Sequence, residues 1–298
     1  MEATPDRPGP GRVVVGVDGS PSARSAVVWA ADEAALRGGG LVLVHATDTD
    51  AASRFLSRAE TDRRHRAGRE LLDRTVEAVV AGHPGLMPVT ELGDGAPPEA
   101  LRRAAALSGT IVVGHRGLGG FSSLLLGSVG LEVVAAATRP VVVVRGPAPP
   151  PVSGVVLAAV RDGDDLGCAV AAAHEAALRK AHLRLLHVWS VPPGVRTRLR
   201  GGAEQGARDH VLPLSDVADR IREDFPDLTV HADGEKSRSA AGALVDASHH
   251  ADLLVVGGRR SPGYLGPTIG RTTLGVLQHA HCPVELIPRH GPGHGSPS

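Results

Sequence analysis

The chain has 298 residues, enough for about two domains. Its 32 basic and 32 acidic residues cancel and aromatics make up only 2%, which argues against a nucleic-acid surface built from a basic patch and stacking rings. Two cysteines, Cys168 and Cys282, exclude a disulfide framework, no apolar run approaches the ~20 residues that span a bilayer, and residues 1–12 lack a signal-peptide core, so a soluble cytoplasmic protein is expected.

A first buried strand is predicted over 12–17, where Val13, Val14, Val15 and Val17 lead into the polar turn Asp18-Gly19-Ser20. A helix follows from about Pro21 to Arg37. Asp18 stands at the carboxyl end of the strand, where open α/β sheets place ligand groups. Either Asp18 or Ser20 could instead cap the helix. Further strands are predicted over 40–46 and 86–92, with a helical pattern from Ala59 to Ala81 between them.

Thr110 to Val113, with its β-branched bias, reads as a buried parallel strand that ends at Gly114. In the run Val113-Gly114-His115-Arg116-Gly117, the two glycines let the backbone turn sharply and approach a ligand with no Cβ in the way. Gly127-Ser128 then opens a helical pattern (Val129, Val133, Val134, Ala137) that stops at Pro140, before a last strand over 140–145. Helix N-termini carry unpaired N–H groups and partial positive charge, which favour phosphate. A glycine turn facing a helix start thus forms a phosphate cradle, with the Ser128 hydroxyl added. A glycine pair alone is equally a ligand-free αβ turn. His115 and Arg116 reach the phosphates in one reading and face water in the other.

The segment from Val112 to Arg145 resembles the nucleotide-binding signature of the universal stress protein family: Gly, two residues, Gly, nine residues, then Gly followed by Ser or Thr. That pattern is complete here as Gly114, Gly117, Gly127 and Ser128, within GHRGLGGFSSLLLGS and before PVVVVR. The resemblance implies an ATP site made of Gly16, Asp18, Ala46, Gly114, His115, Arg116, Gly117, Leu118, Gly119, Gly120, Gly127, Ser128 and Val129. Within it Asp18 contacts the nucleoside and Ala46 lies beside the adenine. Mg²⁺ is expected on the phosphates and water, because no carboxylate pair offers to hold it. The resemblance also implies that the strand Val141 to Val144, an all-valine edge, pairs with a counterpart from a second domain. An uncovered edge of that kind invites aggregation. The expectation is an intramolecular pseudo-dimer, with a homodimer open through other surfaces.

Comparing the chain with itself at an offset of 143 residues aligns Gly114 with Gly257, Gly127 with Gly270, Pro140 with Pro283 and Val13–Val17 with Val156–Val160. Second-copy strands are predicted near 154–160, 183–189, 228–232, 252–257 and 283–287, with a helix from Leu214 to Phe225. Alternating β and α with near-continuous apolar strands means an α/β fold: two tandem Rossmann-like, doubly wound domains, each on a five-stranded parallel sheet. The boundaries are a nucleotide-binding domain over 1–147, a degenerate copy over 152–289 and a disordered tail over 290–298. Gly146 to Pro151, rich in proline, forms a short extended connector.

In the second copy Asp18 becomes Arg161, Gly117 becomes Arg260 and Ser128 becomes Arg271. Arginine stems either fill a pocket that has lost its ligand, or Arg161, Arg259, Arg260 and Arg271 converge on another anion. Neither lysine, Lys180 or Lys236, follows a glycine, so a Walker-type P-loop is excluded. No G-x-S-x-G elbow occurs. His249-His250 and His279-Ala280-His281-Cys282 suggest a metal, but no fourth partner can be named and they read better as solvated helix-end histidines. The expected function is a nucleotide-responsive regulator or scaffold of the stress response, with no catalytic residue. A slow ATPase or a cyclic-nucleotide (cAMP) sensor in the same crevice are the alternatives.

Overall fold

The computed structural model describes residues 11–48, 56–106, 109–117, 126–145, 152–189, 214–258 and 269–288. Leu118, Gly119, Gly120, Arg259, Arg260, the connector and the tail lie outside them. The chain divides into two compact units, Met1–Val133 with Arg139–Pro149, and Val134–Thr138 with Pro150–Ser298.

In the first unit β1 (Arg12–Gly16), β2 (Leu41–Ala46), β3 (Val89–Gly93), β4 (Gly109–Gly114) and β5 (Val141–Val144) alternate with α1 (Pro21–Arg37), α2 (Arg58–Gly82), α3 (Pro97–Ala104) and α4 (Ser128–Ala135). The strands lie in the order β3-β2-β1-β4-β5 and pair in parallel, with Gly16 opposite Val44 and Gly114 opposite Val144. The order reverses at β1, so the crevice at the switch point opens beyond the ends of β1 and β4.

Continuous apolar strands follow from burial on both faces. Val13 and Val15 face Ala26, Ala30 and Ala34 of α1, and Leu72 and Val79 of α2. On the opposite face α3 brings Leu101 against Gly16. Val13, Val14 and Val15 are all fully buried. The ends of α1 are set locally. Ser20 Oγ accepts from Ala23 N at 3.1 Å, Pro21 opens the helix, and Gly38 closes it at φ 60°; such a cap contributes about 1 kcal/mol.

The second unit repeats the plan with β6 (Val155–Ala159), α5 (Leu166–Arg179), β7 (His182–Trp189), α6 (described over 214–224), β8 (Val230–Lys236), α7 (Ala240–Ala247), β9 (Leu253–Gly257), α8 (Arg271–His279) and β10 (Val284–Ile287). Its order is β10-β9-β6-β7-β8, again parallel. Both units are therefore doubly wound α/β folds on five parallel strands.

Three expectations shift. The third strand starts at Val89, because Leu86 N donates to His83 O and residues before it turn. The eighth runs from Val230 to Lys236, pairing with β7 along seven residues of which all but Val230 are exposed, so no buried apolar face marks its extent. The 143-residue offset drops to 142 along the second strand of each unit. His45 Nδ1 lies 2.7 Å from Val17 O, and His187 Nδ1 lies 2.9 Å from Val160 O, the same contact made twice. The partner of Ala46 is consequently Val188.

Candidate functional site

Beyond β1 the chain turns through Asp18, whose Oδ1 accepts from Ser20 N at 2.8 Å. Gly19 takes φ +85°, a conformation that favours glycine. The helix cap falls to Ser20, while Asp18 orders the turn with one carboxylate oxygen and also lines a cavity. Its Oδ2 faces Gly117, where a Cβ would fall at 2.7 Å.

The turn after β4 is built on α1. A Cβ at Gly114 would meet Ser22 Oγ at 2.5 Å and the Ser22 carbonyl oxygen at 2.7 Å, so strand end and helix start touch directly. Ser22 Oγ accepts from Arg116 N at 3.2 Å and lies 3.0 Å from His115 Nδ1. Ser20 Oγ reaches Arg116 O at 3.4 Å. The backbone of His115 connects two more elements: its N–H donates to Val144 O at 3.1 Å, and its carbonyl accepts from Gly127 N at 2.8 Å. A Cβ at Gly127 would meet Arg116 Cα and Gly117 N at an ordinary 3.6 Å. The protein's own packing demands Gly114 and Gly117 more than it demands Gly127.

These elements enclose a cavity of about 440 Å³ at the switch point, within the ~300–1,000 Å³ range of small-molecule sites. Nine of the thirteen expected residues line it: Gly16, Asp18, Ala46, Gly114, Arg116, Gly117, Gly127, Ser128 and Val129. Leu118, Gly119 and Gly120 are outside the described residues. His115 is the exception. It does not line the cavity, and its ring is turned onto Ser22, whereas the next residue, Arg116, is part of the lining.

His115 titrates below its ordinary value. Burial is the main cause, the cationic Arg145 adds to it, the Val144 carbonyl opposes, and Arg116 lowers it further. Arg145 is itself lowered by burial and by Arg116. Sequence reasoning missed Ser22, an unremarkable serine in a helix's first turn. It also missed the apolar wall of Val17, Val44, Pro97 and Leu101. Only their places at strand ends and on α3 could have pointed to them.

The second unit holds a smaller cavity, about 280 Å³, lined by Arg161, Asp165, Gly257, Gly270 and Arg271 among others. Arg161 folds onto Asp165: both its backbone N–H (2.9 Å) and its Nε (3.3 Å) reach Asp165 Oδ2, and Asp165 is buried. Asp165 stands where the first unit has Ser22. Elsewhere His249 and His281 stack ring on ring, 3.5 Å between centroids and 17° apart. Burial, with Asp252 adding to it, pushes the Cys282 thiol up to about 12. No group of three or more metal-ligating side chains occurs among the described residues, and no helix among them is long and apolar enough to cross a membrane.

Comparison with known proteins agrees with this architecture. The model of the "Universal stress protein family" matches twice, over residues 10–145 and 155–288. A universal stress protein of Mycolicibacterium smegmatis is 29% identical over 293 residues, covering 92% of this chain and 96% of the relative. One from Mycobacterium tuberculosis is 31% identical over 290 residues, covering 91% and 94%. Among solved structures, a universal stress protein from Archaeoglobus fulgidus superposes with a TM-score of 0.68 at 17% identity, covering 94% of this chain and 97% of that one, a likeness of fold. The chain belongs to the universal stress protein family.

Proposed function

We propose that the first unit binds ATP and that the protein works as a nucleotide-responsive regulator or scaffold in a stress response rather than as a dedicated enzyme. The observation that carries this reading is the meeting of two glycine-dependent turns over one cavity. Gly117 leaves room for the Asp18 carboxylate, and Gly114 lets the turn rest on α1. Asp18 and Ala46 sit at the ends of β1 and β2, where the nucleoside is assigned. Gly117, Gly127 and Ser128 surround the start of α4, where N–H groups and the helix dipole favour phosphate. Arg116 adds a cation on the cavity wall. Mg²⁺, in this reading, travels on the phosphates, since Asp18 is the one carboxylate among the described residues that line the cavity.

Native mass spectrometry of the protein as purified from cells tests the proposal. A mass increment equal to ATP supports it. An increment equal to AMP or cAMP keeps the site and changes the ligand. A ligand-free protein that also ignores added ATP·Mg²⁺ in calorimetry overturns it.

A further inference from the structure

His115 is a node in the cradle. Its N–H is tied to β5 through Val144 O, its carbonyl to Gly127 at the start of α4, and its ring to Ser22 on α1. One residue therefore links the two halves of the turn to both flanking elements. Ser22 is buried in the first turn of α1, and its hydroxyl carries one proton and accepts at two positions. One lone pair takes the N–H of Arg116 at 3.2 Å. The hydroxyl proton is then free to go to His115 Nδ1, 3.0 Å away, provided that Nδ1 is unprotonated.

We propose that His115 is a positioning residue that acts on the nucleotide only through Ser22: the neutral ring, accepting at Nδ1, latches the 115–117 turn and Gly127 in the nucleotide-receiving arrangement, and protonation undoes the latch. This rests on the nucleotide reading above. A proton on Nδ1 removes the acceptor: the ring can then meet the hydroxyl only as a donor to its second lone pair, with the hydroxyl proton turned away from it, and a third cation is brought beside Arg116 and Arg145. Its charged neighbours are Arg145, following β5, and Arg116 on its own turn. Both are cations. From α1 the facing group is the Ser22 hydroxyl, and Gly127 presents no side chain. Burial and these two arginines outweigh the Val144 carbonyl, which favours the protonated ring, and hold it below its ordinary 6.5, so it is neutral at neutral pH. The linkage sign follows: the latch is closed at and above pH 6.5 and is lost as pH falls through the depressed value.

A cationic His115 lying against phosphate makes the opposite forecast, with affinity rising as pH falls. The test measures ATP·Mg²⁺ affinity by calorimetry at about pH 8 and at a pH below the His115 midpoint, which ¹⁵N NMR of the ring locates, for the full-length protein and for His115→Asn, Ser22→Ala and His115→Ala. Asn can offer a carbonyl oxygen as acceptor where Nδ1 stands, and it does not titrate. Dividing the wild-type Kd by that of His115→Asn cancels titration of the nucleotide's own phosphates.

The expected ratio rises as the pH falls through the ring's own midpoint, within the limit of about tenfold per pH unit for one proton. His115→Ala and Ser22→Ala should weaken binding at pH 8 as well, and the Kd of Ser22→Ala divided by that of His115→Asn should stay flat. A wild-type ratio that falls on acidification, or that does not change, overturns the latch. If ATP fails to bind at pH 8, the nucleotide reading fails by itself. The latch is then decided in the ligand-free protein by ¹⁵N NMR. An Nε2–H tautomer at neutral pH, with Arg116 and Gly127 amides titrating alongside the ring, supports it. A protonated Nδ1, or amides indifferent to the ring, overturns it.

Discussion

Gly117 and Asp18 exclude one another's bulk: any Cβ at 117 would lie 2.7 Å from Asp18 Oδ2, closer than a side chain tolerates. The atom it meets is the end of a side chain, so a substitution displaces the carboxylate more readily than it disrupts the fold. Copy two shows both positions changed together, to Arg161 and Arg260. Once Gly117 gains a side chain, an aspartate at the facing position loses its room.

Gly117→Ala is therefore expected to weaken ATP binding by about tenfold or more, equal to ~1.4 kcal/mol. Gly117→Arg is expected to abolish it. Both should keep unfolding free energies within about 1 kcal/mol of wild type, the scale of substitutions away from the core. Calorimetric titration and urea denaturation of the same samples separate the two effects. Undiminished affinity in both variants would place the nucleotide elsewhere.

One nucleotide per chain is the second prediction. In the second unit Arg161 occupies the place of Asp18 and is already engaged by Asp165, while Arg271 stands where Ser128 would meet phosphate. The cavity there, about 280 Å³ against about 440 Å³, is also smaller. Titration with ATP·Mg²⁺ should saturate near one equivalent. Saturation near two would show that the arginines have reshaped the second crevice without closing it.

Much of this was legible from residues alone, and what was not has identifiable causes. Gly114 and Gly117 stood out as a glycine pair at a strand end, and at Gly114 the backbone of Ser22 leaves no room for a Cβ. The limits of α1 matched expectation because Ser20, Pro21 and Gly38 are local signals, independent of tertiary packing. β8 was read short because exposed edge residues such as Asp233 and Glu235 carry no apolar period. His115 and Arg116 could not be told apart in sequence. What separates them is the contact of the His115 ring with Ser22, a residue 93 positions away in the chain. The drop from 143 to 142 in the repeat offset was hidden until His45 and His187 were seen on matching carbonyls.

Packing beneath the site supplies a third prediction. α2 crosses β2 at Gly68, where a Cβ would meet His45 Cδ2 at 2.7 Å and Leu92 Cδ1 at 2.8 Å. Gly68→Ala brings a better helix former, a gain of about 1 kcal/mol. Overpacking against a ring that is itself hydrogen-bonded to Val17 O costs about 1–3 kcal/mol. Overpacking should win, leaving the variant less stable in urea denaturation by up to about 2 kcal/mol. Because His45 and Val17 also line the cavity, ATP affinity should fall in the same variant. A stabilised Gly68→Ala would mean that α2 shifts freely over the sheet.

Turnover, last, should be slow or absent. Phosphoryl transfer to water calls for a group that positions or deprotonates the nucleophile, and for cations that follow charge onto the leaving oxygens. Asp18 is the one carboxylate among the described residues lining the cavity, and one of its oxygens is engaged by Ser20 N. His115, the base nearest the glycine turn, points to Ser22 and not into the cavity. Arg116 remains as a cation, but no P-loop lysine accompanies it. Phosphate release is therefore expected well below the ~1–10³ s⁻¹ usual for enzymes. The measurement is steady-state release from repurified protein, with Gly117→Arg as the control for a contaminating ATPase. Release at or above about 1 s⁻¹ that saturates with ATP and disappears in Gly117→Arg would make the protein an enzyme. Release equal in both proteins would belong to a contaminant.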